Sequence, residues 1–176
     1  MTDSLQKNEL LAQTAHAQAA QIVQSLAAAL TQRGWMMTSA ESCTGGLIAA
    51  ACTDLAGSSD WFERGFVTYS NAAKTELLSV PAHVIARHGA VSEPVARAMA
   101  RGAVAHARAH VGVAVTGVAG PGGGSLDKPV GTVWFGWHVP GVTETECRRF
   151  DGDRAAVRAQ TVAHALARLL ELLPPA

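Results

Sequence analysis

Apolar positions recur every three to four residues over one stretch near each end of the chain. Ile22, Val23, Leu26 and Leu30 form the first stripe, in a helix expected from a cap at Asp3 or Ser4 to about Arg33, where Gly34 stops it. Val157, Val162, Leu166, Leu169, Leu170 and Leu173 form the second, in a helix opened by Asp151-Gly152-Asp153 and ended by Pro174-Pro175. Between them the period shortens. Trp35 to Ser39 reads as a short buried strand, and Trp61 to Ser70 as an alternating one rich in aromatic and β-branched residues. Val111 to Thr116 and Val130 to His138 read as two more strands. Thr143 to Phe150 returns after Pro140-Gly141 as an antiparallel strand with an exposed, polar face. Shorter helices are expected from Leu47 to about Asp54, from Ala72 to about Ser79 with Asn71 as cap, from Pro81 to Arg87, and from Ser92-Glu93-Pro94 with Ser92 as cap.

This order predicts an α/β fold: a three-layer α/β/α arrangement with one mixed sheet flanked by helices on both faces. A length of 176 residues suits a single domain, with the helix of 1–33 preceding a core of 34–176. Ligands of such sheets bind beyond the carboxyl ends of the strands. Three segments follow predicted strands and can converge there: Thr38–Gly46, Tyr69–Lys74 and Thr116–Pro129.

Composition narrows the classes. Net charge is zero and charged residues make up 16%, which argues against nucleic acid as a partner. No apolar run approaches the ~20 residues needed to cross a bilayer, and the first twenty residues lack a secretory pattern. The three cysteines, Cys43, Cys52 and Cys147, show no paired spacing and suit reduced thiols, so a cytoplasmic location is expected. No histidine spacing predicts a metal site. His106 and His110, four apart, read as a solvated helix face.

Thr38-Ser-Ala-Glu-Ser-Cys-Thr-Gly-Gly46 is rich in small nucleophiles and glycine at a strand-to-helix junction. A helix N-terminus offers unpaired N–H groups and partial positive charge, so this junction can present a nucleophile and hold an anion. Ser42, Cys43 and Thr44 are the candidate nucleophiles. There is no G-x-S-x-G elbow. A serine–lysine pair is an alternative to the serine triad, and Lys74, early in a helix with few acids nearby, is the candidate base whose pKa burial would lower. Thr116 to Pro129 holds five glycines and two prolines and matches neither a Walker A loop nor G-x-G-x-x-G.

Five segments in order resemble the CinA C-terminal domain family of nicotinamide-nucleotide amidohydrolases: Ala40–Gly46, Gly57–Lys74, His88–Pro94, Thr116–Gly124 and Lys128–Trp134. The resemblance covers about Arg33 to Leu173 and is to the stand-alone form. It implies hydrolysis of the carboxamide of nicotinamide mononucleotide to nicotinate mononucleotide and ammonia, with no metal and no cofactor, in pyridine nucleotide salvage. It also implies a homodimer. Carried onto this chain, it makes Ser42 the nucleophile, Lys74 the base and Tyr69 a proton relay. Backbone N–H groups around Thr44, Gly45 and Gly46 would hold the oxyanion. Thr116 with Gly117 would contact substrate, and Arg154 would hold the phosphate. Glu41 is either a supporting residue behind the nucleophile or part of a surface ion pair. Two other functions stay open: a non-catalytic nucleotide-binding or regulatory module, and an amidohydrolase for another small amide. A role in DNA uptake is disfavoured by the zero net charge.

Overall fold

The computed structural model describes residues 2–175 and the side chains of residues 4–175. Its elements are α1 (Thr2–Arg33), β1 (Met37–Glu41), α2 (Leu47–Thr53), a 3-10 turn at Ser58–Asp60, β2 (Phe62–Val67), α3 (Asn71–Leu78), α4 (Ala82–His88), α5 (Glu93–Ala105), β3 (Val111–Gly117), β4 (Thr132–Val139), β5 (Val142–Arg149) and α6 (Arg154–Leu172). The sheet order is β2-β1-β3-β4-β5. β1 runs parallel to both β2 and β3, whereas β4 and β5 continue antiparallel. The result is the expected three-layer α/β/α fold with one mixed sheet.

Side-chain alternation sorts the sheet into two cores. On one face Met37, Val113, Val115, Phe135 and Trp137 pack with Leu26 and Leu30 of α1 and with Val157, Leu166 and Leu169 of α6. On the other, Ala40 and Ala114 meet Val95, Met99 and Ala103 of α5, with Leu78 and Ile85 beside them. The second face is made of small residues because α5 lies almost on the strands. A Cβ at Gly136 would stand 2.4 Å from the Ala96 carbonyl oxygen, so only glycine permits this approach.

Several boundaries differ from the sequence expectation. Helix α1 begins ahead of the cap expected at Asp3 or Ser4; the Asp3 side chain lies outside the described residues. β1 begins at Met37 and extends to Glu41, two residues further than expected, because it is flanked by β2 and β3 and all five of its residues are buried. Ser70 caps α3: its hydroxyl accepts from the Ala73 N–H at 3.0 Å, and Asn71 is the first helical residue. The Ser92 hydroxyl donates to the Gly89 carbonyl instead of capping α5. His106 and His110 do not share a helix face, since α5 ends at Ala105. Asp153 caps α6 as expected, accepting from the Ala156 N–H at 3.0 Å.

Candidate active site

The carboxyl ends of β1, β2 and β3 lie side by side, and three loops leave them on the same rim. A cavity of about 210 Å³ opens there, lined by Ser42, Cys43, Tyr69, Lys74, Thr116 and Arg154, with Gly117 also on its wall. The structure thus brings the three sequence segments together.

Its centre is a serine–lysine pair. Lys74 Nζ is hydrogen-bonded to Ser42 Oγ at 3.1 Å and donates to the Thr68 carbonyl oxygen at 2.8 Å. The Lys74 side chain is 1% exposed, and no carboxylate pairs with it among the described residues. Burial therefore holds its pKa below the usual lysine value. Lysine reaches this position because the Ser70 cap starts α3 directly after β2, which turns residue 74 back toward β1.

Cys43, next to the serine, is buried, and burial pushes its thiol up to about 12. A thiol in that state is an inert packing group at neutral pH.

The loop behind Ser42 is organised by Glu41. Its side chain is fully buried and points toward α2, on the same face of β1 as Met37 and Ser39. The carboxylate accepts from the Ser39 and Thr44 hydroxyls at 3.1 and 2.7 Å. It also accepts from the N–H groups of Gly46, Ile48 and Ala49, at 3.0, 3.0 and 2.9 Å. Glu41 is thus neither in a surface ion pair nor at the cavity wall: it fills the N-terminus of α2 from inside. Glu41→Ala would leave three N–H groups and two hydroxyls without their acceptor. We expect a loss of at least about 3 kcal/mol of stability, read as a lower urea midpoint at unchanged slope.

This changes the expected place of the oxyanion. Gly46 N–H is committed to Glu41 and Gly45 N–H to the Ser42 carbonyl at 3.2 Å. Among the described residues, the N–H groups of Cys43 and Thr44 enter no hydrogen bond with another residue, and they directly follow the serine. Gly45 and Gly46 shape the turn instead, both at positive φ (60° and 102°).

The remaining site residues sit around the mouth. The Thr116 hydroxyl donates to the Ala90 carbonyl at 2.9 Å, which fastens the α4–α5 connection to the end of β3. Arg154 Nη1 donates to the Gly120 carbonyl at 3.0 Å, and Nη2 lies 3.5 Å from the Tyr69 hydroxyl. Tyr69 is 65% exposed and, among the described residues, makes no hydrogen bond to Lys74, although both line the cavity. It lies in the coil between β2 and α3, between buried Thr68 and exposed Ser70.

Arg158 was not anticipated. It lies one turn after Arg154 on α6, and its Nη2 donates to the Thr44 carbonyl at 2.7 Å. Both arginines line a second cavity of about 660 Å³, walled also by Gly120, Pro121, Val130 and Asp153. The two cavities share Ala119 and Arg154, so they adjoin. The i, i+4 repeat of arginine after Gly152-Asp153 was the available signal. A separate hollow of about 400 Å³ near His16, Leu47 and Asp54 is mostly apolar and holds no nucleophile–base pair. Among the described residues no three His, Cys, Asp or Glu side chains gather into a metal-binding group, and no helix is long and apolar enough to cross a membrane.

Comparison with known proteins agrees with this geometry. The family model described as "CinA C-terminal domain" matches residues 19–173. The nicotinamide-nucleotide amidohydrolase PncC of Escherichia coli strain K12 is 54% identical over 149 residues, covering 83% of this chain and 89% of that protein. PncC of Pseudomonas putida is 58% identical over 136 residues, covering 77% and 85%. The crystal structure of the competence/damage inducible protein CihA from Agrobacterium tumefaciens superposes with a TM-score of 0.86 at 44% identity, covering 88% of this chain and 95% of that one. With its serine–lysine rim, its mixed sheet and a match over most of its length, the chain belongs to the CinA C-terminal domain family.

Proposed function

We propose that this protein is a nicotinamide-nucleotide amidohydrolase, converting nicotinamide mononucleotide to nicotinate mononucleotide and ammonia in pyridine nucleotide salvage. One observation carries the mechanism: a buried lysine without a carboxylate partner, bonded to a serine at the bottom of a small cavity. The similarity to nicotinamide-nucleotide amidohydrolases of Escherichia coli and Pseudomonas putida supports the substrate.

The small cavity takes the pyridine carboxamide. Neutral Lys74 accepts the Ser42 hydroxyl proton as Oγ attacks the amide carbon. The Thr68 carbonyl, accepting one lysine N–H, aims the Nζ lone pair at Ser42. The N–H groups of Cys43 and Thr44 face the developing oxyanion, a role in which one donor is worth ~10²–10³ in rate. The C–N bond then breaks, and Lys74 returns its proton to the departing nitrogen, which leaves as ammonia. Water attacks the resulting ester, Lys74 takes the water proton, and Ser42 regains its own as nicotinate departs. Tyr69 and Arg154 flank the mouth, where the ribose must pass toward the larger cavity.

The test is ammonia release from nicotinamide mononucleotide by purified protein, with EDTA present throughout. Turnover that survives the chelator supports the reading. Binding of the mononucleotide without release of ammonia would overturn it in favour of a nucleotide-binding module.

A further inference from the structure

We infer that Arg158 joins Arg154 in a two-arginine clamp for a phosphate monoester, making this pair the determinant that selects nucleotide over nucleoside. The inference rests on the proposed reaction for the identity of the substrate, but its anion-binding part stands on geometry alone.

Three observations meet in the larger cavity. Arg154 and Arg158 lie one turn apart on α6, so both guanidinium groups reach the same wall. Among the described residues Arg158 Nε is buried and has no hydrogen-bond partner, although Nη2 of the same group is fixed on the Thr44 carbonyl. A buried donor of a charged group without an acceptor is costly, and a ligand oxygen would satisfy it. The wall also includes Asp153 and Ala155 at the start of the 19-residue helix α6. The Asp153 carboxylate, the acidic group on this wall, is engaged with the Ala156 N–H at 3.0 Å. A phosphate dianion calls for about two positive charges, and a bidentate guanidinium suits its oxygens better than an ammonium does. The bond to the Thr44 carbonyl ties this clamp to the loop that carries Ser42, so the non-reacting end of the substrate contacts the loop holding the nucleophile.

Two measurements on Arg154→Gln, Arg158→Gln and Arg158→Lys test the clamp. The first is calorimetric titration with ribose 5-phosphate at low ionic strength, which needs no turnover. The second is kcat/KM for nicotinamide mononucleotide relative to nicotinamide riboside, which lacks the phosphate. The wild type should bind ribose 5-phosphate and prefer the mononucleotide. Arg158→Gln should weaken ribose 5-phosphate binding and reduce the preference, each about tenfold to a hundredfold. Arg158→Lys, which keeps charge but not the fork, should fall between. Unchanged ribose 5-phosphate binding in Arg158→Gln overturns the clamp. So does an equal loss of kcat/KM on both substrates, which would mean that Arg158 only braces Thr44. If the wild type releases no ammonia from either substrate, the proposed reaction falls while the titration still decides the clamp.

Discussion

Ser42→Ala should lower ammonia release from nicotinamide mononucleotide by about 10⁴–10⁶-fold while leaving the mononucleotide able to bind. The serine hydroxyl is the group positioned both on the lysine and at the base of the cavity. Cys43 offers no substitute, because its thiol is held up to about 12 by burial and is protonated at neutral pH. Turnover is read by ammonia release and binding by calorimetry on the same preparation. Retained turnover in Ser42→Ala would move the nucleophile elsewhere and dismantle the proposed mechanism. Because Ser42 and Lys74 act as a unit, the double variant should be little slower than either single one.

Lys74→Met is expected to cost activity on the same scale and, unlike Ser42→Ala, to stabilise the fold at neutral pH. The sign follows from burial. The folded-state pKa of Lys74 is depressed, so the unfolded chain binds the lysine proton more tightly. Between the depressed value and the ordinary one, unfolding takes up a proton, and stability rises with pH. Below that window the native protein carries the full cost of its buried lysine. Methionine removes that cost, and the melting temperature at pH 7 should rise by about 2–4 °C, the shift that 1 kcal/mol gives in a domain of this size. The gain should shrink as pH approaches that of free lysine. Activity has the matching profile: kcat/KM should climb with pH as Lys74 loses its proton, along a limb lying below the ordinary lysine value of 10.5. Lys74→Arg separates a base from a mere positive charge. Arginine cannot be deprotonated in this range, so the variant should be as inactive as Lys74→Met. An active Lys74→Arg enzyme, or a melting temperature that falls in Lys74→Met at pH 7, would contradict this account.

The layers, the strand order at the antiparallel edge and the meeting of three loops were legible because each rests on periodicity and on turn residues. Alternation in Val142–Arg149 marks an edge strand whatever its neighbours. Gly34 and Asp153 mark helix ends by local chemistry. What was not legible depends on partners remote in sequence. Ala40 and Glu41 look like loop residues until β2 and β3 are placed on either side of β1. Glu41 then becomes the acceptor for α2, and the glycine N–H groups that seemed free prove to be taken. Tyr69 and Lys74 lie five residues apart, yet one is at the solvent rim and the other is buried. Only the Ser70 cap, which sets where α3 begins, explains that separation. The arginine repeat marks Arg158 in the sequence, but its bond to the nucleophile loop shows only once α6 is placed against that loop.

The buried Glu41 carboxylate also bears on how the cycle ends. On the proposed reaction, a neutral amide enters the small cavity and a carboxylate is left there. In many enzymes a helix N-terminus would welcome that new anion and hold the product back. Here α2 is already satisfied from within by the Glu41 carboxylate. The N–H groups of Gly46, Ile48 and Ala49 are therefore not free to hold the new carboxylate. Product release would then be unhindered by the helix, with product inhibition weaker than substrate binding as the signature.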